Sequence, residues 1–252
     1  MTSAAALLLG LAAAAALADW WAVSGRARGR RAQIELFAKP AVLAALIGVA
    51  ATLHPIDSTT RGWFLAALAC CLIGDVALML DSFELGLGGF LIAHVLFLVG
   101  LAEANAGTAS TLVALVVLVA VAAAPATLVI RALWAGTTGT TGTTGTAGTT
   151  GTTGTAGANH GNRERALVAP VVIYMLALLT MAAAGWSAGL NAHPFGRNAW
   201  LCVGVTLFVV SDTLLALDRF VKPLPYGKLV VHATYHLAVG AIVISLAAAL
   251  PS

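Results

Sequence analysis

Several ionisable side chains fall inside long apolar runs of this 252-residue chain, among them Asp19, Lys39, Asp75, His94, Asp212, His232 and His236. Inserting such a group into a membrane span costs a few kcal/mol, so each marks a candidate functional position. Asp75 and Asp212 are suited to acid–base chemistry. Lost hydration and like charge both oppose ionising two neighbouring carboxyls out of water. One of the pair can then hold a proton for donation while its ionised partner steadies a cation and takes a proton from water. Lys39 suits pairing with a phosphate or with one of these carboxylates, and Pro40 after it can loosen a helical turn. His94 shares a helix face with Phe83, Gly86, Phe90 and Phe97. With Tyr235 and His236 it is a candidate donor that holds water or a substrate hydroxyl.

The plainer roles differ from residue to residue. Asp75 and Asp212 would also serve as helix-packing polar groups or as an ion pair with Lys39. Asp19, beside Trp20 and Trp21 near the end of its run, reads as an interfacial residue in an aromatic belt. His232 and His236 are four apart and share a face, a spacing that suits two metal ligands. No HExxH glutamate accompanies them, and no metal or other cofactor is expected. Gly74 and Ser211 each precede an aspartate and are small enough to allow close helix approach. Cys70, Cys71 and Cys202 lie in apolar runs and read as small hydrophobes without a disulfide framework.

The elements that must position these groups follow from composition. Hydrophobic residues make up 60% of the chain and charged residues 9%, against roughly 25% charged in soluble domains. So few charges cannot cover a water-soluble globule, which excludes a soluble enzyme and a disordered chain. Eight apolar runs reach the ~20 residues that a bilayer core demands: about 4–23, 34–53, 63–80, 86–103, 111–131, 166–186, 199–218 and 228–250. The expected fold is all-α, a polytopic integral membrane protein with eight transmembrane helices in one bundle. The first run lacks a basic leader and is followed by Arg26, Arg28, Arg30 and Arg31, a stop-transfer pattern rather than a cleaved signal. The whole chain reads as a single transmembrane domain, with 136–162 a flexible Thr/Gly-rich cytoplasmic loop within it.

Basic residues set the orientation. Ten of the 13 lie in the first, third, fifth and seventh loops taken together, and only Arg61 and Arg197 on the other side. The bias puts the odd loops in the cytoplasm and both termini outside. The basic residues are spread through short loops and form no nucleic-acid footprint. Counted from the cytoplasmic helix ends at 1.5 Å per residue, Lys39, Asp75, His94, Asp212 and His236 all lie roughly 9–12 Å deep. Five helices thus bring polar groups to one level, as around a polar cavity open to the cytoplasm.

Read together, Lys39-Pro40, the block Leu72-Ile73-Gly74-Asp75-Val76-Ala77-Leu78-Met79-Leu80, Phe90-x-x-x-His94, Phe208-Val209-Val210-Ser211-Asp212, Arg219-Phe220 and Tyr235 resemble the YhhN-like membrane proteins, the lysoplasmalogenase family. The resemblance spans the second to the eighth run. In the last run the expected aromatic pair and glutamine are replaced by Tyr235-His236-Leu237-Ala238-Val239, so no glutamine role carries over. The resemblance implies an integral membrane hydrolase that cleaves the vinyl ether bond of lysoplasmalogens. Its products would be a fatty aldehyde and glycerophosphoethanolamine or glycerophosphocholine. Asp75 and Asp212 map onto the family's reactive carboxylates. The implied partners are a lysophospholipid and the bilayer, and no cofactor.

Two other readings use the same groups. A proton-coupled transporter would also bury Asp, Lys and His at one level. Carriers commonly repeat one half of the chain in the other, with the site near the midplane, and this sequence has no such repeat. A zinc-dependent lipid hydrolase would rest on His94, His232 and His236.

Overall fold

The computed structural model describes residues 2–25, 29–53, 58–103, 108–135, 165–191 and 198–248. Eight helices fill these segments: α1 (Ser3–Val23), α2 (Arg30–Thr52), α3 (Ser58–Met79), α4 (Phe83–Glu103), α5 (Thr108–Ala135), α6 (Val168–Asn191), α7 (Ala199–Phe220) and α8 (Gly227–Ala248). All eight are long and apolar enough to cross a membrane, and the protein is a multi-pass membrane protein. The Thr/Gly-rich stretch 136–162 lies outside the described residues.

Helices dominate because each must satisfy its backbone hydrogen bonds without water, which a single span does only as a helix. Between spans the apolar gain seen in water is absent, so packing and small residues decide which helices pair. The most extensive pairings are α3 with α4, α7 with α8, and α1 with α2. From α4 the ring continues to α6, α7 and α8, and α8 closes it against α1 and α2. Helix α5 stands outside the ring against α6 and α7 and, although consecutive with α4, barely touches it among the described residues. Its outward residues Val113, Val116 and Val121 suit contact with lipid chains.

The α3–α4 hairpin is set by two features. A turn of three residues joins the helices, with Asp81 at φ 57° and the Ser82 N–H returning 2.9 Å to the Ala77 carbonyl. That arrangement satisfies carbonyls at the end of α3, and aspartate tolerates the left-handed position better than most residues. Glycines then let the helices close: a Cβ on Gly89 would stand 3.0 Å from the Gly74 backbone. The residue beside that contact is Asp75.

The core is a continuous cluster running through the ring and including Leu43, Leu68, Phe97, Met181, Phe208 and Ile242. It surrounds the level at which the buried polar groups gather.

Candidate active site

Lys39 in α2 and Asp75 in α3 meet as an ion pair, Nζ to Oδ1 2.9 Å, with both side chains buried. Of the two roles open to Lys39 in the sequence, the structure supports the carboxylate pairing. Asp212 in α7 is held differently. The Tyr174 hydroxyl of α6 donates to Asp212 Oδ2, and His94 Nε2 of α4 lies 3.8 Å from that same oxygen. The Asp75 and Asp212 side chains line the same cavity. Five successive helices of the ring, α2, α3, α4, α6 and α7, therefore place Lys39, Asp75, His94, Tyr174 and Asp212 together.

Ser211 ties α7 to α8 by donating to the Val231 carbonyl at 3.1 Å. Tyr235 stands edge-on between Phe90 and Phe208, its hydroxyl buried without a hydrogen bond. Asp75 Oδ2 and both ring nitrogens of His94 are also buried and unpaired. Buried polar atoms normally find partners, so such a concentration calls for an explanation, of which catalysis is one.

A cavity of about 610 Å³ opens over these groups, lined among others by Lys39, Asp75, Ser211, Asp212, His232 and Tyr235. Its lining also carries the charged residues Glu35, Asp81, Asp218, Arg219 and Lys228, with Lys228 Nζ 2.6 Å from Glu35 Oε1. A second, apolar groove runs between α4, α5, α6 and α7, with Ala122, Ala126, Val129, Val171 and Met175 in its walls. Leu78, Phe83, Phe90, Asp212, Leu215 and Arg219 belong to both linings, so the polar cavity and the apolar groove share a wall that includes Asp212.

Three of the groups singled out in the sequence do not line the cavity. Asp19 is completely buried rather than interfacial, and its Oδ2 lies 2.8 Å from His232 Nδ1. A carboxyl that α8 can reach is shielded from water once α1 packs against it, which the neighbouring tryptophans could not disclose. His236 is turned toward α1, where its Nδ1 accepts from Trp20 Nε1 at 3.1 Å, and it does not line the cavity. His94 likewise stands behind Asp212 and outside the cavity lining.

Sequence reasoning also missed Tyr174 and Glu35. Tyr174 offered a signal, a tyrosine well inside a span and away from either interface. Glu35 lies near the start of the second run, where an acidic residue is unremarkable. Among the described residues no three His, Cys, Asp or Glu side chains gather to hold a metal ion.

The fold and site define a polytopic membrane protein with a buried pair of aspartates where a polar cavity meets an apolar groove. A model of the YhhN family matches residues 34–246, and the chain belongs to that family. It is 42% identical over 72 residues to lysoplasmalogenase TMEM86B of Sus scrofa and 39% identical over 75 residues to the protein of that name from Homo sapiens. These stretches cover 29% and 30% of this chain and 28% and 29% of the two relatives. The chain thus spans under a third of the length of the curated relatives it matches. No solved structure matches it.

Proposed function

We propose that this protein hydrolyses the vinyl ether bond of lysoplasmalogens, releasing a fatty aldehyde and glycerophosphoethanolamine or glycerophosphocholine. The observation that supports this most directly is the position of Asp212, on the wall shared by a polar cavity and an apolar groove. A single-chain phospholipid has that division built in. With its head in the cavity and its chain in the groove, the bond joining them lies at the carboxyl. The names of the curated relatives point to the same substrate class.

The chemistry begins with a proton. Asp212 is the donor, since Lys39 engages Asp75 while Asp212 faces both compartments. Its proton passes to the β-carbon of the vinyl ether, the double-bond electrons form the new C–H bond, and the α-carbon and ether oxygen share the positive charge. Asp75, ion-paired with Lys39, steadies that cation. Water adds to the α-carbon and gives a proton to Asp75, leaving a hemiacetal. Asp75 then returns its proton to the departing glycerol oxygen, and the hemiacetal hydroxyl restores the proton of Asp212. One water is consumed, and both carboxyls finish as they began.

The barely touching pair α4 and α5 offers a lateral entry from the bilayer. With the odd loops in the cytoplasm the charged end of the cavity faces that compartment, so the lipid enters from the inner leaflet. Both termini then lie outside. Asp75, Asp212, Lys39 and Tyr235 meet the substrate or the water, Ser211 fixes the α7–α8 register, and His236 supports α8 from behind.

The test is aldehyde release by purified protein in detergent from an alkenyl lysophospholipid, beside its acyl analogue. Aldehyde from the alkenyl lipid is expected, and none from folded Asp75→Asn or Asp212→Asn protein. Folded wild-type protein that releases no aldehyde overturns the proposal.

A further inference from the structure

His94 is the least explained side chain in the bundle. It is completely buried, neither ring nitrogen makes a hydrogen bond, and its Nε2 stops 3.8 Å from Asp212 Oδ2. Burying an imidazole without a partner is costly, and nothing in the resting contacts offsets that cost. Its ring lies edge-on to Tyr174 at 5.1 Å and to Phe208 at 5.0 Å between centroids. Tyr174 is held against the same carboxylate oxygen, donating to Asp212 Oδ2. Both polar groups thus converge on Oδ2. Oδ1 has no hydrogen-bond partner among the described residues, in a carboxyl that lines both cavity and groove.

We propose that Tyr174 and His94 form a donor pocket for Asp212 Oδ2, which receives the negative charge left when Oδ1 gives its proton to the substrate. The inference rests on the vinyl ether reading for its substrate, but not for its geometry. In the resting acid the proton sits on Oδ1, because Oδ2 is already the acceptor of the Tyr174 hydroxyl. Tyr174 therefore selects Oδ1 as the oxygen that gives up the proton. When the Oδ1–H bond breaks and the new C–H bond forms, its electron pair stays on the carboxylate. Tyr174 then donates to a charged oxygen, and His94, with its proton on Nε2, closes its 3.8 Å gap to donate as well. The imidazole is unpaired at rest because its acceptor acquires full charge only after proton transfer. Donors aimed at charge that develops during reaction act on the rate more than on substrate binding.

Both effects can be read separately. Infrared spectra of wild-type and Asp212→Asn protein isolate the carboxyl C=O band of Asp212 without any substrate. In Tyr174→Phe that band should move to higher wavenumber, since its carbonyl oxygen loses a hydrogen bond. In aldehyde assays, Tyr174→Phe and His94→Leu should lower kcat about a hundredfold, the usual effect of removing one such donor, with KM little changed. An unmoved band in Tyr174→Phe, or wild-type kcat in both variants, overturns the proposal. A band that shifts as expected in protein inactive on every alkenyl lipid overturns the substrate reading and leaves the Oδ2 pocket standing.

Discussion

Lys39 Nζ stands 2.9 Å from Asp75 Oδ1 inside the bundle, while Asp212, facing the same cavity, is held by the Tyr174 hydroxyl. Two residues of one type, each following a small residue, therefore occupy unlike surroundings. One has an ammonium beside it and the other a phenol and an imidazole. In the proposed mechanism that difference makes Asp75 the base and Asp212 the acid, a division the sequence leaves open.

The Lys39–Asp75 pair has a measurable consequence. Removing one member of a buried ion pair strands a charge and costs about 3–5 kcal/mol, whereas an apolar replacement of both is often neutral. Lys39→Met alone should lower the thermal unfolding temperature in detergent, and Lys39→Met with Asp75→Leu should restore most of it. Aldehyde release should stay absent from the restored double variant, which separates folding from chemistry. Equal stability of the single and double variants would contradict the ion-pair account.

The hairpin that presents Asp75 is the next point of leverage. A methyl group at Gly89 meets the Gly74 backbone at 3.0 Å, and backbone cannot rotate aside as a side chain can. Overpacking of this kind costs about 1–3 kcal/mol, and here relief comes by moving α4 away from α3. Gly89→Ala should therefore be modestly destabilised and lose most of its aldehyde release, although it touches no polar atom of the site. Gly88→Ala is the control, since a Cβ there meets nothing within 4 Å. Similar activity in the two variants would show that the close approach does not position Asp75.

How much of this was legible depended on the kind of signal each residue gave. Span limits followed from apolar length alone, so α4, expected near 86–103, is found at Phe83–Glu103. Lys39, Asp75, His94 and Asp212 were found because a charge in a span has few innocent explanations. These four meet as their expected common level requires, whereas His236, expected at that level too, is turned toward α1. Tyr174 escaped because it carries no charge to mark it, and only the α6–α7 packing brings it to Asp212. Asp19 was misplaced for the complementary reason: its tryptophan neighbours suggested an interface, and its burial depends on α8, more than 200 residues along the chain.

The Asp19–His232 contact yields a prediction of the opposite character. It joins α1 to α8 at 2.8 Å, and α1 lies outside the stretch matched by the family model. Asp19→Asn leaves an amide where a buried carboxylate met a ring nitrogen, and should destabilise the fold by about 1–3 kcal/mol through imperfect pairing. The folded fraction should keep a kcat close to wild type, because Asp19 does not line the cavity. Unfolding curves and aldehyde release on the same sample decide it, and a large fall in kcat at unchanged stability would move Asp19 into the chemistry.

The apolar groove makes a claim about the hydrocarbon chain. Ala122 and Ala126 stand one helical turn apart on α5, in the wall facing Val171 and Met175 of α6, and Pro125 between them leaves the α5 backbone one hydrogen bond short. Their small side chains keep the groove open. A substrate drawn from the bilayer has already left water, so the groove gains little of the usual ~0.8 kcal/mol per buried methylene. Selectivity must then come from shape. Ala126→Phe should obstruct a long alkenyl chain and lower kcat/KM by about tenfold or more, as overpacking of about 1–3 kcal/mol implies. A lysophospholipid whose chain ends before the obstruction should be cleaved nearly as before. The check is aldehyde release from two alkenyl lysophospholipids differing only in chain length. A parallel fall for both would mean that the chain lies elsewhere and that the meeting of groove and cavity at Asp212 does not orient the substrate.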